Sequence, residues 1–208
     1  IYKLYTQEIV WPRGFPLNRI HENCSENLKV RSDDLKTGII QGMADLDPDV
    51  DSIHRLIFNK EINFNKSGKY FLDQKQYCPF NSQNTLFRKE LFPLLYLPAY
   101  VTFRFTDILR GLIAQPIMQS KGYRLEFTDA TVFQVRNEHN LMRDFESEIP
   151  CFLHSETVIS TTLNAVKSDS SLTDNLFNSY NALEDIGIVS AAEIKLLECW
   201  IKDLEEIV

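Results

Sequence analysis

The chain has 208 residues, 44% of them hydrophobic and 25% charged, an ordinary globular composition that suits one domain, with or without an appendage, and can bury a real core. Its net charge of −7 argues against nucleic acid as a partner, because binders of the phosphate backbone need a basic surface. No apolar run reaches the length of a membrane span, and there is neither an initiator Met nor a signal-peptide pattern. The opening Ile1-Tyr2-Lys3-Leu4-Tyr5 reads as mid-protein, so a piece of a longer protein is expected.

Residues 1–30 place two prolines and a glycine within WPRGFPL, which predicts a loop with short extended pieces. GIIQGMADLDPDVDSIHRL at 38–56 begins as a buried strand. It then passes through Asp-Pro-Asp-Val-Asp, which suits a turn and a helix start. Residues 59–80 are polar and read as a loop with one or two weak strands. From 84 to 95 a strand and a short helix are expected, and the alternation of Val101-Thr-Phe-Arg-Phe105 reads as a strand edge. Asp107 opens DILRGLIAQPIMQSKG, in which Ile108, Leu109, Leu112, Ile113 and Ile117 recur at helical spacing. Pro116 should kink or break that helix and Gly122 should end it. YRLEFTDATVFQV at 123–135 is the best strand candidate. Beyond Asp144 the periodicity is helical throughout, with joints at Ser-Leu-Thr-Asp and Asp-Ile-Gly. The result is an α/β layer followed by helices.

Cys24, Cys78, Cys151 and Cys199 are too scattered for a zinc knuckle or a CxxC site. They are compatible with buried thiols or with two disulfides.

Three polar clusters fall at the ends of predicted elements, where α/β folds build sites. Asp45, Asp47, Asp49 and Asp51 form either an oxygen-rich cation site or a capped acidic turn, and no EF-hand spacing is present. Asp107, between Arg104 and Arg110, can take a proton from an attacking hydroxyl or serve as a helix cap. In Arg136-Asn137-Glu138-His139-Asn140, Arg136 can neutralise phosphate and His139 can contact a metal or a diphosphate. A turn whose amides cap the next helix is the competing account. No Gly-rich phosphate loop, HExxH or GxSxG is present.

Four blocks in order, WPRGFPLNRI, QGMADLDPDVDSIHRL, PFNSQNTLFRKELFPLLYLPAYVTFRFTDILRG and FQVRNEHNLMRDFESE, resemble the STELLO-type glycosyltransferases. That family comprises Golgi type II membrane enzymes best known from plants. A weaker likeness runs to the reversibly glycosylated polypeptides. The resemblance covers residues 8–155. It implies a GT-A-like fold, of which residues 1–155 form the acceptor-side part of a mixed sheet and 156–208 a helical C-terminal appendage. The family's DxD motif, which holds Mn2+ or Mg2+ on the donor diphosphate, is expected ahead of WPRGFPL. Asp45-Leu46-Asp47 sits in the wrong block for it.

The resemblance gives Asp107 the position of the acidic residue that faces the acceptor, the general base of inverting members. Thr106 stands where a second acidic residue is common. His139 falls near the metal. Asn81, Gln83 and Asn84 fall in a loop that contacts the donor sugar, though the glycines usual there are missing. The same resemblance gives Arg13 and Gly14 the shaping or lining of the donor pocket, with a purely structural turn as the alternative, and it has Arg110, Arg136 and Asn137 facing donor or acceptor. The implied function is transfer of a sugar from a nucleotide sugar to a glycan or glycoprotein acceptor on the lumenal side of the Golgi membrane. Without the nucleotide-binding half the piece is expected to be inactive by itself. The alternative is a non-catalytic, transferase-like module with protein partners in a polysaccharide- or glycan-synthesis complex.

Overall fold

The computed structural model describes residues 1–22, 29–30 and 36–207. Its core is built on two long parallel strands, β2 (Lys36–Leu46) and β5 (Tyr123–Gln134). Around them a mixed sheet forms in the order β1-β3-β5-β2-β4. The outer members β1 (Lys29–Val30), β3 (Tyr70–Phe71) and β4 (Thr85–Phe87) are short and antiparallel to their neighbours. Short outer strands limit the exposed edge. Ile39, Gln41, Met43 and Ala44 are all buried along β2, as expected of a strand covered on both faces.

Parallel neighbours need a crossover, and residues 47–122 supply it. The crossover contains α1 (Ser52–Phe58), a 3-10 turn at Lys89–Leu95 and α2 (Thr106–Ser120). Every residue of α2 from Ile108 to Gln119 is buried, so this helix runs inside the molecule and not along its surface. It packs against β5, α3 (Leu141–Ala165) and α4 (Leu172–Asp185). Pro116 lies inside it without ending it, and the chain leaves through Gly122 at φ +81°. In α3 the buried positions are Glu148, Cys151, Ser155, Val158 and Thr162, a helical stripe of alternating three- and four-residue steps.

The joints expected near the C-terminus appear as a Ser171–Asp174 capping box and a turn through Gly187. α4 and α5 (Ala191–Ile207) add Leu176, Tyr180, Leu183, Val189 and Leu197 to the same hydrophobic core as α2 and the sheet. Residue 155, the expected domain boundary, lies in mid-α3. The buried Glu193 carboxylate of α5 accepts the Tyr96 hydroxyl and the amides of Ala99 and Tyr100.

One local expectation is corrected. Val101–Phe105 is not a strand edge: Phe103–Phe105 forms a 3-10 turn. Its Phe105 amide donates to the Thr102 carbonyl at 2.9 Å, and side chains, not a ladder, serve the backbone of Arg104. Ser147 Oγ accepts from the Arg104 amide, and Arg13 donates to the Arg104 carbonyl. Among the cysteines, Cys78 and Cys151 are buried, Cys199 is exposed, and Cys24 lies outside the described residues. Among the described residues no helix is long and apolar enough to cross a membrane.

Candidate functional site

The parallel strands β2 and β5 end side by side at Leu46 and Gln134, and the polar clusters of the sequence converge there. Directly after β2 the chain runs through Asp47, Asp49 and Asp51. Asp51 caps α1 by accepting the His54 amide at 2.8 Å, and it also takes the indole N–H of Trp11. Asp49 turns inward. Its carboxylate accepts Arg13 Nε and Nη2 at 2.7–3.0 Å, and Arg104 stands 3.6 Å away. Arg104 also bonds the fully buried Glu148 of α3 at 2.7 Å, and Glu148 accepts the amide and hydroxyl of Ser52. Arg13 Nη2, shared with Asp49, also reaches both oxygens of Asp107 at 3.0 and 3.1 Å. One buried chain of alternating charge, Asp107–Arg13–Asp49–Arg104–Glu148, therefore fastens α2, the WPRGFPL loop, the post-β2 loop and α3 together.

Burial by itself would raise the Asp49 pKa, but the Arg13 guanidinium, joined by Arg104 and Arg136, outweighs it and holds the carboxyl below its ordinary range. Burial likewise opposes the charge on Arg13, and Asp49 and Asp107 more than restore it. Among the described residues Asp51 has no cationic partner, and its burial pushes it up to about 6 against the bonds from His54 and Trp11.

Asp107 sits in the first turn of α2 and not at its cap, which is Phe105. Besides Arg13, its oxygens accept the amides of Ile108 and Ser82 at 3.0 and 3.1 Å. Its side chain is 13% exposed. Thr106 bonds back to the Phe103 carbonyl. Gly14 makes the close approach of the WPRGFPL loop possible. Its φ is +82°, and a Cβ there would lie 2.4 Å from Ile108 Cγ2 of α2.

Arg136, Asn137 and His139 line a second, contiguous feature, a cleft of about 410 Å³ shared with Asp47, His54, Arg55 and Lys60. Arg136 and Arg55 converge on the single carboxylate of Asp47, with Arg136 Nε 2.8 Å from it. Burial and the neighbouring Arg55 lower the Arg136 pKa, with Asp47 and Asp49 opposing. Two guanidiniums sharing one carboxylate leave positive charge for an anion. His139 Nδ1 lies 3.1 Å from Asp144. Among the described residues no three His, Cys, Asp or Glu side chains gather into a metal-holding group.

The 81–85 loop joins the two features. Gln83 donates to the Asp47 carbonyl and to Gln134, and it accepts the Asp49 amide. Asn81 accepts the Gln83 amide, and Asn84 donates to Met43 and Thr131. Asn81 thus shapes the loop from within, while Gln83 and Asn84 hold it to the sheet. Arg110 bonds Ser82 Oγ at 2.9 Å and lies over the Phe87 ring.

The sequence reading did not single out Arg55, Arg104 or Glu148. Arg104 had a signal, since it flanks Asp107. So had Glu148, a carboxylate on the apolar stripe of a helix, where it needs a buried partner. Arg55 had none.

A family model described as STELLO glycosyltransferases matches residues 104–208. Two Arabidopsis thaliana proteins are similar across 98% of this chain: "Probable glycosyltransferase STELLO2" at 26% identity and "Probable glycosyltransferase STELLO1" at 27%. The chain spans 27% of the length of each of these curated relatives. The family match takes in Arg104, Asp107, Arg136, His139 and Glu148 together with the helices that pack behind them, and on it the chain belongs to the STELLO glycosyltransferases.

Proposed function

We propose that this chain forms the acceptor-side part of a catalytic domain that transfers a sugar from a nucleotide sugar to a glycan or glycoprotein hydroxyl, on the lumenal side of the Golgi membrane. The observation that carries the reading is the placement of Asp107 and the Arg55–Arg136 cleft at the shared end of β2 and β5, tied together by the Asp49 and Gln83 contacts. In this scheme the acceptor oxygen forms a bond to the anomeric carbon while the bond from that carbon to the diphosphate breaks. Asp107 takes the hydroxyl proton. Arg136 and Arg55 offset the charge that accumulates on the departing diphosphate.

A carboxylate offers about four lone-pair positions, and those of Asp107 already serve Arg13, Ile108 and Ser82. Substrate binding has to open one of these contacts before Asp107 can receive a proton. The same saturation is what a non-catalytic interaction module would show, which makes Asp107 the residue to test. The Mn2+ or Mg2+ associated with such chemistry does not fit the described residues as a complete site, since Asp47 is paired with two arginines and His139 with Asp144. We place its principal ligands elsewhere in the parent protein, with His139 beside it.

The test is turnover of a nucleotide-sugar panel by the parent protein and its Asp107→Asn form, with and without added Mn2+. Proton removal by a positioned base contributes ~100- to 10,000-fold, so a loss of that order is expected. Equal turnover by both forms removes Asp107 from the base role, and no turnover of any donor by the parent favours the interaction module.

A further inference from the structure

Two buried arginines have no carboxylate within ion-pair distance among the described residues, Arg110 at 9% exposure and Arg124 at 8%. The other arginines of the site, Arg13, Arg55, Arg104 and Arg136, each meet at least one. Arg124 stands at the start of β5, the end of the strand away from the site. Arg110 stands in the site, three residues after Asp107 on α2 and therefore on the same side of the helix. Its contacts are few. Nη2 donates to Ser82 Oγ at 2.9 Å, the guanidinium lies 5.2 Å from the centre of the Phe87 ring, and Nε has no partner among the described residues. Burial lowers the Arg110 pKa despite the opposing charge of Asp107, so the fold keeps this cation against its own stability.

Ser82 gives the arrangement a direction. It is exposed, and its amide donates to Asp107 at 3.1 Å. Its hydroxyl accepts from Arg110 and still has a proton to give, with no acceptor for it among the described residues. A guanidinium and a hydroxyl donor thus converge at one surface point beside Asp107, and donors of this kind take an oxyanion. In the proposed scheme the diphosphate is met by Arg55 and Arg136 on the Asp47 side, so the anion at Arg110 belongs to the other substrate. We infer that Arg110 and Ser82 form a subsite for the carboxylate of an acidic acceptor sugar, a uronic acid whose hydroxyl faces Asp107. A uronic acid carries carboxylate and hydroxyls on one ring, which suits two groups a helical turn apart. The bound anion also makes Asp107 a stronger base, and Arg13 on Asp107 limits their repulsion. This deepens the transferase reading and rests on it for the word acceptor, but binding at Arg110 is measurable without turnover.

The experiment is titration calorimetry of the full chain with methyl β-glucuronide, methyl β-glucoside, inorganic phosphate and pyrophosphate. It compares wild type with Arg110→Met and Ser82→Ala. The glucuronide should bind at least about tenfold more tightly than the glucoside. Arg110→Met should weaken it about tenfold to a hundredfold, the worth of hydrogen bonds to a charged group, and Ser82→Ala by about threefold to tenfold. Arg110→Met should melt no lower than wild type, because an apolar side chain replaces a buried cation that has no carboxylate partner. Glucuronide should raise the melting temperature of wild type and leave that of Arg110→Met unchanged. Equal affinity for glucuronide and glucoside, or for glucuronide in wild type and Arg110→Met, overturns the subsite. So does phosphate binding as tight as that of glucuronide, which marks a plain anion site, or a melting temperature clearly lowered in Arg110→Met, which marks a structural arginine. Loss of pyrophosphate binding alone in Arg110→Met moves the residue to the donor and overturns it as well. Turnover of neutral acceptors by a parent protein that binds no glucuronide removes the subsite and keeps the transferase. Glucuronide binding through Arg110 in a parent protein that turns over no donor sinks the transferase reading and leaves the acid subsite standing.

Discussion

Arg13 is the member of the site whose removal should be felt most. The side chain is buried at 5% exposure and makes contacts of 2.7–3.1 Å to two carboxylates, Asp49 and Asp107. Arg13→Met keeps most of the stem and removes the charge. Asp107 then retains the Ile108 and Ser82 amides, whereas Asp49 retains the Gln83-held loop and Arg104 at 3.6 Å. Orphaning one side of a buried ion pair costs ~3–5 kcal/mol, and the surviving Arg104 places the expected loss toward the lower end. The assay is urea denaturation followed by circular dichroism, on Arg13→Met, Asp49→Asn and the double variant. Because the double variant removes both charges, it should be more stable than the sum of the single losses predicts, with a coupling of ~1–3 kcal/mol. The pH dependence has a definite sign. Asp49 is held below its ordinary value in the folded protein, so its contribution is present above the unfolded carboxylate pKa and is lost as pH falls through the folded value. In Arg13→Met that acid-dependent loss should shrink. A single-variant loss below ~1 kcal/mol, or strictly additive losses, would refute the account of Arg13 as the central cation.

Gly14→Ala forces a left-handed backbone on alanine and sets a Cβ 2.4 Å from Ile108; a loss of ~2–5 kcal/mol is expected, read as a lowered urea midpoint with unchanged slope. Asp51, raised from 3.8 to about 6 by burial, favours the folded state most when protonated, so its contribution declines as pH rises from about 4 to about 6. The stability difference between wild type and Asp51→Asn should therefore change by at most ~3 kcal/mol across that window, and a flat difference curve would show that Asp51 is not desolvated.

Much of the fold was legible because it follows local rules. An apolar stretch marked β2 as a buried strand, aromatic and β-branched content marked β5, helical spacing marked α2, and Ser171, Asp174 and Gly187 punctuated the C-terminal helices. Val101–Phe105 misled because period-two alternation over five residues is too short to separate a strand from a 3-10 turn. That choice depended on Ser147 and Arg13, which lie far away in sequence.

The site divides in the same way. The sequence alone determined which residues carry charge at the ends of elements: the aspartates of 45–51, Asp107 and Arg136 were all visible as polar groups where apolar runs stop, whereas Arg13 was marked only by the family resemblance. It could not assign their partners, because ion pairing is set by distance in space and carries no periodicity. Only the tertiary structure decided that Arg13 serves Asp49 and Asp107 at once, that Arg55 joins Arg136 on Asp47, and that Glu148 anchors Arg104 from α3. The physical reason is desolvation. Buried charges hold only where opposite charges meet them, and parallel pairing of β2 with β5 is what brings these to one end of the sheet.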